Sequence, residues 1–176
     1  MEIVLIRHTS VDVPQGVCYG QTDVPLRETF EEEAAVSKQK LSLYEPFDKV
    51  YCSPLSRCTR LAAYCGYADA VRDNRLLEIN RGEWEMQYYE KITDPRLNEW
   101  YNDFLHTAAT GGESFMQQYR RVADFLDSLR GEPHRRTAIF THGGVIACAQ
   151  TYAGVINLED VFKTLAPYGE VVALQI

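Results

Sequence analysis

Leu5-Ile6-Arg7-His8-Thr9 closes an apolar run that begins at Ile3 by setting an arginine and a histidine side by side. A second run, Ala138-Ile139-Phe140-Thr141, stops the same way at His142-Gly143-Gly144. Short apolar runs suit strands buried on both faces of a parallel sheet, and ligands of such sheets bind in the crevice outside the strands' carboxyl ends. The two histidines are therefore expected to share one crevice, which nominates an active site.

Outward from these runs, apolar strand candidates alternate with helical stretches. Strands are predicted over Glu2–Ile6, Lys49–Cys52, Ala70–Arg72, Thr137–Thr141 and Val171–Ile176. Helices are predicted over Thr29–Tyr44, Pro54–Cys65, Ser114–Arg130 and Gly144–Ala153, and the polar, aromatic stretch from Glu83 to Thr110 reads as partly helical. Ser53-Pro54 predicts a capping hydroxyl followed by proline at the first helical position. Arg130-Gly131 supplies a basic last turn and a glycine stop. The alternation predicts an α/β fold: a three-layer α/β/α sandwich around a mostly parallel sheet.

A chain of 176 residues with 45% hydrophobic content fits a single domain, 1–176, that buries roughly 70% of its unfolded surface. The start Met1-Glu2-Ile3 has no basic n-region and the apolar runs are too short to span a bilayer, so a cytoplasmic protein without membrane partners is expected. Five scattered cysteines, with no C-x-x-C pair and no histidine at zinc spacing, predict reduced, packed thiols and no metal site. A net charge of −7 argues against nucleic acid, whose phosphates need a basic face. An anionic small molecule still suits the chain if its few cations converge on one pocket.

Such a convergence is predicted around His8. Arg7 precedes it, Arg57 falls in the first turn of the helix after Ser53, and His142 tops the second run. Planar guanidinium groups clamp phosphate oxygens, and each charge-assisted bond contributes about 1.5–3 kcal/mol. A neutral imidazole attacks phosphorus, and neighbouring arginines disfavour its protonated form. Leu77-Glu78-Ile79 sets a carboxylate between apolar residues, the expected proton donor for a leaving oxygen. Each residue alone has an ordinary structural reading, but R-H-T, S-P-x-S-R, L-x-E and T-H-G-G in this order do not.

With these motifs the chain resembles the histidine phosphatase superfamily, or phosphoglycerate mutase-like fold, along essentially its whole length. The resemblance implies that His8 is phosphorylated, that Arg7, Arg57 and His142 form the phosphate pocket, and that Glu78 moves the proton, with no cofactor. Thr9, Leu61 and Met86 depart from the commonest pattern of that family without removing a charged group. Three stretches are similar to α-ribazole-5'-phosphate phosphatases of cobalamin assembly: Gly16–Leu26, Gly82–Met86 and Gly112–Phe115. Tyr19, Gly20, Gln21 and Trp84, with Gly143, are accordingly expected to contact substrate, and the segment 83–110 to cover the pocket.

The expected activity is that of a metal-independent phosphomonoesterase acting on a small substrate, with α-ribazole 5'-phosphate preferred. Between Gly82 and His106 only Lys91 and Arg96 face six acids, Glu83, Glu85, Glu90, Asp94, Glu99 and Asp103, which disfavours a second anionic group. Trp84, Tyr88, Tyr89, Trp100 and Tyr101 in the same segment suit a flat base. Alternatives are a phosphoglycerate mutase, a broad small-molecule phosphatase and, from another class, a non-catalytic phospho-ligand binding module. Nothing in the sequence indicates an oligomer.

Overall fold

The computed structural model describes all 176 residues. Five strands form one sheet: β1 (Glu2–Arg7), β2 (Lys49–Cys52), β3 (Val71–Arg72), β4 (Arg136–Thr141) and β5 (Val171–Gln175). Their order is β3-β2-β4-β1-β5. The pairs β1–β4, β2–β4 and β2–β3 are parallel, and only the edge strand β5 runs antiparallel, against β1. The mostly parallel three-layer α/β architecture expected from the alternation is present.

Successive residues of a strand point to opposite faces, and the core divides accordingly. Ile3, Leu5 and Ile139 face α4 (Phe115–Arg130) and α5 (Gly143–Tyr152), where Val122, Phe125, Leu126 and Leu129 complete a cluster of 17 buried residues. Val4, Ile6, Ala138 and Phe140 face α1 (Phe30–Ser42) and α2 (Ser56–Tyr64), where Leu41, Cys58 and Leu61 belong to a cluster of 12. The segment expected to be partly helical contains 3-10 turns at Gly82–Trp84 and Tyr89–Lys91 and a short helix, α3 (Arg96–Asn102). It closes around a third small cluster of Cys18, Trp84, Leu97 and Ala109.

Element ends agree with expectation within two residues, but the start of α2 is capped differently. Ser53 does not cap that helix and Pro54 is not its first residue; the N-cap is Leu55, with no side-chain cap bond of its own. The Ser53 hydroxyl is taken instead by His142 Nε2 at 2.7 Å. Asp23 does the capping from a distant loop, its Oδ1 accepting from Ser56 N (2.9 Å) and Ser56 Oγ (2.7 Å). Ser114, by contrast, caps α4 as a full capping box with Gln117. No helix is long and apolar enough to cross a membrane.

Candidate active site

The register of β1 on β4 pairs Arg7 with Thr141, so the next residues of the two strands, His8 and His142, leave the sheet side by side. Backbone bonds carry this order one step further: His8 N donates to Thr141 O (3.1 Å) and Ser53 N to Phe140 O (2.9 Å). Ser53, His142 and His8 thus stand in a row at the carboxyl edge of three adjacent strands. The His8 and His142 rings lie 5.2 Å apart.

His8 is 2% exposed, and its Nδ1 contacts Thr9 O at 2.7 Å. A carbonyl only accepts, so the neutral ring carries its proton on Nδ1 and leaves the Nε2 lone pair free. Burial, then His142 and Arg57, hold the His8 pKa well below its ordinary value. Arg7 and Arg57 both lower it, as expected, but loss of water comes first and Arg7 contributes least among the named effects.

His142 is fully buried and likewise held neutral, by burial first and then by Arg57, Arg121 and Arg7. It was expected among the cations of the pocket; at rest the fixed positive charge comes from arginines alone. Cys58 Sγ sits 3.5 Å from His142 Nε2 and 3.3 Å from Thr141 O, and burial pushes its thiol pKa well up.

Two arginines supply that charge. Arg57, 0% exposed in the first turn of α2, donates to Thr22 O and Gly20 O, while its Nε has no partner. Arg7 donates to Ala166 O and lies 4.0 Å from the Tyr168 ring centroid, and its buried Nε is also unpaired. Two orphaned guanidinium donors near a nucleophilic imidazole fit an anion with several acceptor oxygens.

Glu78 reaches the same place by way of a 3-10 turn at Asn74–Leu76. Its Oε1 accepts from Ile79 N and Gln118 Nε2, both at 2.8 Å, and its Oε2 from Gly144 N at 3.1 Å. Burial alone would raise its pKa, but these three bonds and Arg57 outweigh burial and hold it below the usual carboxylate value. The backbone carbonyl of Glu78 is anchored by Arg121 (3.0 Å), itself paired to Glu113 at 2.6 Å.

Arg7, His8, Tyr19, Glu78 and Gly144 line one cavity of about 170 Å³ together with Ile79, Arg81, Phe115, Gln118, Val161, Phe162 and Leu165. Arg57, His142 and Gly143 lie outside its lining. The missing side chains at Gly143 and Gly144 make room for the site's own groups. A Cβ on Gly143 would stand 3.0 Å from the Arg7 guanidinium carbon, and one on Gly144 would stand 2.3 Å from Glu78 Oε1.

The expected substrate contacts divide. Tyr19 lines the cavity and its hydroxyl meets that of Tyr168 at 2.6 Å. Gly20 and Gln21 lie outside the lining and hold it from behind, through Gly20 O to Arg57 and Gln21 Nε2 to Glu78 O (3.1 Å). Trp84 does not reach the cavity: it is 1% exposed in the third cluster, with Nε1 donating to Asp94 at 2.8 Å. No residue of 83–110 lines the cavity, and the expected aromatic wall is absent from it. Tyr19, Phe115 and Phe162 supply its aromatic surface, and Val161, Phe162 and Leu165 stand where the covering segment was expected.

Sequence reasoning missed Ser53, Gln118, Arg121, Ala166 and Tyr168 as supports, and Arg81 in the lining. Gln118 stands one helical turn after the Ser114 cap; the others carry no local signal.

The sequence pattern of the histidine phosphatase superfamily (branch 1) matches residues 3–176. An adenosylcobalamin/α-ribazole phosphatase of Salmonella typhimurium is 28% identical over 155 residues, covering 84% of this chain and 76% of its own. A putative phosphoserine phosphatase 2 of Hydrogenobacter thermophilus is 27% identical, covering 96% and 88%. The crystal structure of the α-ribazole phosphatase from Shigella flexneri superposes with a TM-score of 0.88 at 25% identity, covering 100% of this chain and 91% of that one.

Proposed function

This chain belongs to the histidine phosphatase superfamily, and from that premise we propose that it is a metal-independent phosphomonoesterase working through a phosphohistidine on a small substrate. The observation that carries the reading is the neutral, buried His8 with Nε2 unencumbered, sharing a cavity with Glu78 and flanked by arginines with unpaired donors.

In the first step His8 Nε2 attacks phosphorus in line, the P–N bond forms, and the P–O bond to the alcohol breaks. Arg7 and Arg57 meet the equatorial oxygens as their charge redistributes. The leaving oxygen takes a proton from Glu78. At rest that carboxyl is low and ionised, so the proton arrives with the substrate: a phosphate anion beside the carboxylate raises the Glu78 pKa. In the second step the ionised Glu78 accepts a proton from water, hydroxide attacks phosphorus, and His8 departs neutral.

Incubation with p-nitrophenyl phosphate in the presence of EDTA tests the reading. Turnover with an acid-labile, alkali-stable phosphoryl group trapped on His8 is expected. Absence of turnover points to the alternative of a phospho-ligand binding module, and activity that chelation abolishes and Mg²⁺ or Zn²⁺ restores overturns the metal-independent mechanism.

Two substrate readings follow. α-Ribazole 5'-phosphate is supported by the Salmonella and Shigella relatives and the three similar stretches. Against it, the aromatic residues Trp84, Tyr88, Tyr89, Trp100 and Tyr101, expected to stack on a flat base, lie outside the cavity lining. A phosphorylated acid, as in the name of the Hydrogenobacter relative or in a phosphoglycerate mutase, is supported by Arg81, which stands one residue before the segment whose charges argued against a second anion.

A further inference from the structure

Among the charged side chains lining the cavity, Arg7, His8 and Glu78 belong to the phosphoryl chemistry and Arg81 does not. Arg81 is 7% exposed, and its guanidinium carbon lies 5.1 Å from the Trp100 ring centroid. Glu85, whose carboxylate bonds to Arg81's own backbone N, is already committed elsewhere. It accepts from Gln21 N (2.8 Å), Thr22 N (2.6 Å), the Thr22 hydroxyl and Arg81's own backbone N (3.1 Å). No carboxylate pairs with the Arg81 guanidinium. A largely buried arginine without a counter-charge is costly, and the lining beyond the phosphoryl site is mostly apolar, Ile79, Phe115, Val161, Phe162 and Leu165, with the polar groups of Tyr19 and Gln118 turned to Tyr168 and Glu78.

Resting on the phosphomonoesterase reading, we infer that Arg81 is a specificity-determining residue that pairs with a carboxylate on the alcohol part of the substrate. The substrate class is therefore a small phosphorylated hydroxy acid or amino acid. A planar guanidinium matches a carboxylate in geometry, through two parallel N–H···O bonds, and in charge, one against one. A second phosphate dianion would be left half-compensated. A nucleoside monophosphate such as α-ribazole 5'-phosphate, having no second anion, would leave Arg81 unpaired in a partly dry wall.

The test measures kcat/KM for two substrate pairs with wild type, Arg81→Gln and Arg81→Lys. O-phospho-L-serine and O-phosphoethanolamine differ by a carboxylate; 3-phosphoglycerate and glycerol 3-phosphate differ by a carboxylate in place of a hydroxymethyl group. Wild type is expected to prefer the acid in at least one pair by about tenfold or more, mainly through KM. Arg81→Gln should collapse that ratio to about twofold and Arg81→Lys should keep part of it, a pattern that a general packing defect does not produce. No preference in either pair, a ratio that survives Arg81→Gln, or a higher kcat/KM for α-ribazole 5'-phosphate than for both acids overturns the inference. Failure of the underlying reading is seen separately, as wild type inert towards p-nitrophenyl phosphate.

Discussion

His8, at the floor of the cavity, and His142, packed behind it, follow strands locked in register by backbone pairing, whereas Arg81, Phe162 and Leu165, at its wall, come from segments between the regular elements. At the floor Glu78 accepts three hydrogen bonds, and behind it His142 is hydrogen-bonded to the Ser53 hydroxyl, so the groups are positioned before any ligand arrives. At the wall, a guanidinium sits unpaired among apolar side chains. On the proposed function, the floor is assigned the phosphoryl group common to every substrate and the wall what differs among them. Reaction and selectivity should therefore separate under mutation.

The largest effect is expected at the centre of the floor. His8→Ala should fold and lose at least about a thousandfold in kcat, some 4 kcal/mol of barrier. Retention of more than a tenth of wild-type turnover would mean that the floor does not carry the covalent step. Glu78→Gln comes next. It should slow an alkyl phosphate by about a hundredfold but p-nitrophenyl phosphate far less, since that leaving group needs little protonation; equal slowing would leave Glu78 a positioning group only.

A smaller effect is expected on stability. His8 and His142 are held neutral by burial, so below pH 6.5 the unfolded chain binds protons that the native chain refuses. Stability should therefore decrease as pH falls from 7 to 5.5, by about 1.3 kcal/mol for each histidine that stays neutral. Urea titrations should show His8→Ala losing about half of this dependence, and an unchanged dependence would contradict a neutral His8. The smallest effect belongs to the wall's outer support. Trp84→Phe removes the bond to Asp94 and should cost about 1 kcal/mol with kcat/KM for p-nitrophenyl phosphate unchanged. A tenfold fall in that kcat/KM would show the floor and wall to be coupled.

The floor was legible in the sequence because its residues flank short apolar runs: Arg7-His8 ends β1 and His142 follows β4. Strand identity, parallel pairing and the convergence of the histidines all follow from the same pattern. Glu78 was legible through its apolar neighbours, although its low pKa was not, since that depends on Gln118 and Gly144 arriving from α4 and α5. The wall was misread for a physical reason. Trp84, Tyr89 and Trp100 are aromatic enough to bind a base and equally able to build a small core, and the third cluster uses them that way. Arg81 carries no periodic or motif signal, and the engagement of Glu85 by residues 21 and 22, which keeps that carboxylate from it, is a long-range contact.

All five thiols are free and buried, and they are distributed over both regions. Cys18 lies in the small cluster with Trp84, Cys58 against His142, and Cys148 on the core face of α5 in the large cluster. An alkylating reagent must wait for the chain to open before it reaches any of them, so the rate of labelling at each cysteine is a clock for its own neighbourhood. If the wall opens independently of the sheet, Cys18 is alkylated first in native buffer, while Cys58 and Cys148 react together and only at the pace of global unfolding.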